Sequence, residues 1–183
     1  SGGLSLEITE DDNCVSINSQ PQHNDLELTV LVPKNFSLKL TAIHGDINIE
    51  GLEGELEIES VNGDIEIYNI AGSALVSSVN GDIVSSFTRV NSKAPMSFAG
   101  VNGDIEVTLP DNAKFSAKMK TDWGDVYTNF DMELDRNSDN SQISSTGGQY
   151  KVVVNKWITG VVNGGGPEYL FKTLHGDISI RKK

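Results

Sequence analysis

One short phrase returns five times along this chain: HGDINI at His44–Ile49, NGDIEI at Asn62–Ile67, NGDIVS at Asn80–Ser85, NGDIEV at Asn102–Val107 and HGDISI at His175–Ile180. A weaker sixth copy is WGDVYT at Trp123–Thr128. Asp46, Asp64 and Asp82 fall 18 residues apart, and the later intervals, to Asp104, Asp125 and Asp177, are 22, 21 and 52 residues. A turn followed by an apolar–polar–apolar strand, repeated at such a period, marks an architecture of stacked units. The period from Gly45 to Asn62 holds two short strands and two turns. Ile47 and Ile49 alternate with polar neighbours, Gly51–Gly54 turns, Leu56 and Ile58 alternate with Glu55, Glu57 and Glu59, and Val61-Asn62-Gly63 turns again. Apolar side chains thus point one way and acids the other. A hairpin meander would also alternate, but it would not require one turn phrase at every second strand. Coils of parallel strands do, because their equivalent turns stack. The chain is therefore expected to be all-β, a single-chain parallel β-helix or solenoid with coils of about 18–22 residues. Ile47, Ile65, Ile83, Ile105 and Ile178 should form one buried stack.

The whole chain, 1–183, is expected to be one domain, a length sufficient for a sizeable core. Residues 1–35 lack the phrase and are expected to form an irregular N-terminal cap and first coil, since an uncovered end coil exposes core and unpaired backbone. That section offers three β-like runs, Leu4–Ile8, Cys14–Ile17 and Leu26–Val30. Residues 36–130 read as regular coils, 131–149 as a polar excursion and 150–183 as C-terminal coils. The corner Leu31–Phe36, with Pro33, is echoed by Leu109–Phe115, with Pro110; proline suits a corner because it cannot donate to a ladder. Asn163–Pro167 needs unusual backbone angles.

The formal net charge of −12 repels nucleic acid and anionic headgroups, so no nucleic-acid partner is expected. No apolar run reaches the length of a membrane-spanning helix. Ser1-Gly2-Gly3 reads as a trimmed start, which leaves room for a removed signal segment. The single cysteine, Cys14, cannot form an internal disulfide and reads as a small buried side chain.

Within the phrase, glycine supplies positive φ and aspartate can accept hydrogen bonds from turn N–H groups. Asp46, Asp64, Asp82, Asp104, Asp125 and Asp177 are thus read as a structural turn ladder. The phrase matches neither a calcium-binding nonapeptide nor an EF-hand loop, and no metal or other cofactor is expected. His44 and His175 fill the slot that Asn62, Asn80 and Asn102 fill, and His23 lies in a polar turn without an obvious partner. Trp123, in that same slot, with Trp157 and Tyr169 further on, can form an aromatic interaction surface. No Gly-x-Ser-x-Gly, Cys–His cue, zinc spacing or phosphate loop occurs. No catalytic residue is therefore assigned.

With its NGDI phrases, the Leu-Pro-x-Asn corner at Leu109–Asn112 and the Asn163–Pro167 turn before a last HGDISI, the chain resembles the bacterial putative-adhesin family of β-solenoid domains, also grouped as toastrack envelope domains. The resemblance covers Leu26–Lys183. It implies a right-handed β-helix, exported to the periplasm or cell surface, acting as a non-catalytic binding or scaffold module. The partners implied are a surface glycan or an envelope protein; an oligomeric state is not implied. An envelope-stress sensing domain and a carbohydrate-active β-helix enzyme are the alternatives.

Overall fold

A computed structural model describes residues 6–12, 14–19, 27–134, 142–146, 149–153 and 157–183, and every regular element among them is a β-strand. In chain order these are β1 (Leu6–Asp11), β2 (Cys14–Ser19), β3 (Leu38–His44), β4 (Ile47–Glu50), β5 (Glu53–Asn62), β6 (Ile65–Asn80), β7 (Ile83–Val90), β8 (Met96–Asn102), β9 (Ile105–Leu109), β10 (Phe115–Trp123), β11 (Val126–Thr128), β12 (Met132–Leu134), β13 (Gln142–Thr146), β14 (Gln149–Val153), β15 (Ile158–Val162), β16 (Glu168–His175) and β17 (Ile178–Lys182). They divide between two compact units, Ser1–Val32 and Pro33–Lys183.

In the first unit β1 and β2 form an antiparallel pair separate from the main sheet. Two strands offer no second layer of their own, and Cys14 is exposed, contrary to the buried side chain expected there. Leu26–Val30 does not supply the expected third strand: residues 27–30 form no strand, and Leu26 and His23 lie outside the described residues.

The second unit is built from two parallel ladders, each one strand deep per coil. One runs β3, β5, the second half of β6, β8, β16 and β10. The other runs β4, the first half of β6, β7, β9, β17 and β11. The long strand β6 serves both because it bends at Asn69 and Gly72, which adopt φ of 58° and 151°.

Both ladders break chain order at the same place. Strand β16 lies between β8 and β10, and β17 lies between β9 and β11. The last phrase is thus threaded into the stack between the coils carrying Asp104 and Asp125, and coils follow chain order only as far as Leu109. The reading of 150–183 as coils is corrected too. Only β16 and β17 complete a coil; β15 pairs antiparallel with β10, and β14 antiparallel with β11. The excursion after Asp131 is partly sheet, with β12 on β15 and β13 on β14, while residues 135–141 and 147–148 lie outside the described residues.

Alternation sends every second residue inward. Ile47, Ile65, Ile83, Ile105 and Ile178 are all buried, as expected, and Val126 extends their column beyond Ile178. In the other ladder Phe98 stacks on Phe171 at 5.5 Å and Phe115 on Tyr169 at 4.8 Å. The inserted strand β16 therefore carries the aromatic side chains that fill the core between β8 and β10. Each such ring buries enough apolar surface to contribute roughly 1.5–3 kcal/mol.

Candidate functional site

The six phrases meet at one edge of the stack, where both ladders turn. Gly45, Gly63, Gly81, Gly103 and Gly176 adopt φ between 105° and 142°. Angle alone explains Gly45, where an added Cβ would meet nothing, but not the other four. A Cβ on Gly63 would stand 2.3 Å from the carbonyl oxygen of Gly45, and one on Gly176 would stand 2.1 Å from that of Gly103. Glycine is required because backbones of successive coils pack directly on each other.

Each aspartate binds the next coil. The N–H of Asp64 donates to Asp46 Oδ1 at 3.0 Å, Asp82 to Asp64 at 2.8 Å, Asp104 to Asp82 at 2.8 Å, Asp177 to Asp104 at 2.7 Å and Asp125 to Asp177 at 2.8 Å. All six predicted ladder residues come together, in the order 46, 64, 82, 104, 177, 125. The bonds run between coils, not within a turn. Asp46, Asp64, Asp82, Asp104 and Asp177 each accept a backbone proton from the neighbouring coil, which offsets carboxylate repulsion of roughly 1 kcal/mol at ~4.8 Å in water.

The slot before the glycine forms a second ladder. Asn80 Nδ2 donates to Asn62 Oδ1 at 3.0 Å and Asn102 Nδ2 to Asn80 Oδ1 at 2.9 Å. At one end Asn62 Nδ2 lies 3.2 Å from His44 Nδ1. At the other end the amide chain gives way to rings. His175 follows Asn102 in register, and Trp123 lies over His175, nearly parallel at 10° and 6.4 Å between centroids. Trp123 is 72% exposed.

Trp157 stands just before β15, against β10, with Lys118 Nζ 4.9 Å from its ring centre. Trp123, the last residue of β10, and Trp157, just before the neighbouring β15, thus both lie where the parallel stack ends. Tyr169 does not join them. It faces inward on β16, is fully buried, and its hydroxyl has no hydrogen-bond partner among the described residues. Burial pushes its phenol up to about 12. The partner that sequence reasoning missed is His175; the signal was its place in the same slot as Trp123.

The turn joining β15 to β16 sets the insertion. Asn163, Gly164 and Gly165 adopt φ of 50°, 83° and 83°, and Asn163 Nδ2 donates to the carbonyls of Asp111 and Ala113 at 2.9 and 2.8 Å. The Asn-Gly-Gly-Gly-Pro turn is thereby fastened to the Leu-Pro corner that precedes β10. Among the described residues no group of three or more His, Cys, Asp or Glu is arranged to hold a metal ion, and no helix is long and apolar enough to cross a membrane.

Two parallel ladders sharing a glycine–aspartate turn edge, with antiparallel strands after the last coil, define an all-β stack of repeats. The chain belongs to the Toastrack DUF4097 family, whose model matches residues 1–181. It is also similar in fold to a solved structure described as a "putative cell adhesion protein" from Clostridium sporogenes. The TM-score is 0.52 at 13% identity, over 98% of this chain and 76% of that one. No curated protein matches.

Proposed function

We propose that this chain is an exported, non-catalytic binding or scaffold module of the bacterial cell envelope, and that its partner, a surface glycan or an envelope protein, contacts the end of the stack at Trp123, His175 and Trp157. The observation that carries this is the exposed, ring-on-ring seat of Trp123 on His175. Regular coils need their slot only for the amide ladder. Trp123 makes no such bond among the described residues and presents a flat apolar face to solvent, the kind of surface that sugars and partner side chains stack on. Membership of the Toastrack family and the fold shared with a protein described as a "putative cell adhesion protein" support an envelope setting. The coils are proposed to wind right-handed, the sense that strand twist favours for parallel connections.

The test is capture of glycans and proteins from bacterial surface extracts by the immobilised chain, compared with Trp123→Ala and with Glu55→Gln plus Glu66→Gln. Trp123→Ala should lower retention of the captured partner at least tenfold, while the glutamate changes leave it within about twofold. Retention that survives Trp123→Ala and fails in the glutamate variant would overturn this placement.

A further inference from the structure

The outward side of the ladder that holds β3, β5, β6, β8, β16 and β10 carries a pattern that neither the fold nor the turn edge requires. Register places Ile43, Val61, Val79, Val101 and Leu174 in one column over five of the six strands, and the sixth, β10, puts Asp122 there. All five are branched apolar side chains, between 37% and 64% exposed. The adjacent outward column reads Thr41, Glu59, Ser77, Ala99, Lys172 and Lys120. This second column is acidic at Glu59, neutral at Ser77 and Ala99 and basic at Lys172 and Lys120, the last bonded to Asp122 at 2.9 Å, and it runs beside an apolar ridge that ends at Leu174. Glu59 and Lys172 are both exposed, and neither makes an ion pair among the described residues.

Such a face is complementary to itself. A two-fold axis lying along the strands, between the Val79 and Val101 rows, turns the acidic end of one copy onto the basic end of another. The β5 row then meets the partner's β16 row, so Glu59 faces the partner's Lys172, and the partner's Glu59 faces Lys172. Val61 faces the partner's Leu174, and Val79 the partner's Val101. Contacts that come in reciprocal pairs are what a closed two-fold interface requires. At the outermost rows Ile43 faces the partner's Asp122 and Lys39 the partner's Lys118, but Asp122 is already bonded to Lys120 at 2.9 Å, Lys39 to Glu57 at 2.6 Å, and Lys118 lies over Trp157. Trp123 and Trp157 stay at the rim.

We propose that this face is the docking surface for a second copy of the same chain, forming a two-fold dimer. Three outward columns on six strands at ~4.8 Å spacing cover roughly 500 Å² per partner. That lies at the low end of specific interfaces, so the dimer should be reversible, with a Kd in the micromolar to submillimolar range. Pairing of exposed charges across it should make association weaken with salt. This proposal does not depend on the partner placed at Trp123.

Sedimentation equilibrium from about 10 µM to 1 mM, at low and high salt, tests it. The chain should show a monomer–dimer equilibrium. Glu59→Lys and Lys172→Glu should each weaken it at least tenfold, Val79→Asp should abolish it, and the double swap Glu59→Lys with Lys172→Glu should restore it to within about threefold. A chain that stays monomeric to 1 mM overturns the proposal. So does a dimer indifferent to Val79→Asp, or one that the double swap fails to restore while circular dichroism shows the fold intact.

Discussion

The backbone N–H of Asp177 donates to Oδ1 of Asp104 at 2.7 Å, a bond that spans 73 residues of sequence. Asp125 sits only 21 residues beyond Asp104 in the chain, yet it binds Asp177 instead. The bond ties the C-terminal coil into the middle of the stack. An asparagine at 104 keeps an Oδ1 acceptor and relieves carboxylate repulsion, so Asp104→Asn should change stability by less than about 0.5 kcal/mol. Asp104→Ala leaves the Asp177 N–H without its partner and should cost about 1 kcal/mol, read by urea unfolding.

Ile178 lies between Ile105 and Val126 and is fully buried. Ile178→Ala should therefore cost about 2–5 kcal/mol, as much as Ile65→Ala in the regular coils. A C-terminal residue at the free end of a stack would cost far less. Denaturant midpoints of the two variants make the comparison.

Tyr169 offers a pH test. Burial holds its proton to about pH 12, whereas an unfolded chain releases it near pH 10. The folded state thus binds more protons across that interval. Its stability is full below about pH 10 and is lost as pH rises towards 12. Tyr169→Phe removes both the titration and a buried hydroxyl that has no hydrogen-bond partner among the described residues. The variant should be about 1 kcal/mol more stable at neutral pH and should lose less stability on alkaline unfolding.

Coils are modular where chain order holds. Removing Asp64–Gly81 joins Gly63 to Asp82 and should leave a folded, shorter stack, whereas removing Glu57 alone reverses the in–out alternation of the rest of β5 and should be more damaging. Thermal melts of both deletions compare them directly.

The repeats show which residues are equivalent, and that much of the stack was legible. The buried column from Ile47 to Ile178 and the aspartate edge follow from the recurring phrase alone. Adjacency was not legible. HGDISI fits between any two copies of NGDI, because each phrase binds its neighbours only through backbone and Asp Oδ1. Spatial order is decided instead by the core rings of β16 and by Asn163 fastening its turn to the Leu-Pro corner. Tyr169 misled for a related reason. Its direction is set by the parity of β16, in which Tyr169, Phe171 and Thr173 face inward, and an aromatic beside Glu168 carries no sign of that. Leu26–Val30 alternates as a strand would, yet its described residues pair with nothing, since alternation prepares a strand without supplying a neighbour.

Insertion of the C-terminal coil between those of Asp104 and Asp125 is tested most directly by cross-linking, with Cys14→Ser as background. Asn102 and His175 are register partners on adjacent strands, about 4.8 Å apart and within disulfide reach. Asn102 and Trp123 are two strands apart, roughly 9.6 Å, and out of reach. Asn102→Cys with His175→Cys should oxidise to an internal disulfide in the folded chain, while Asn102→Cys with Trp123→Cys should remain reduced. Coils stacked in chain order would give the opposite result: a bridge in the 102–123 pair and free thiols in the 102–175 pair.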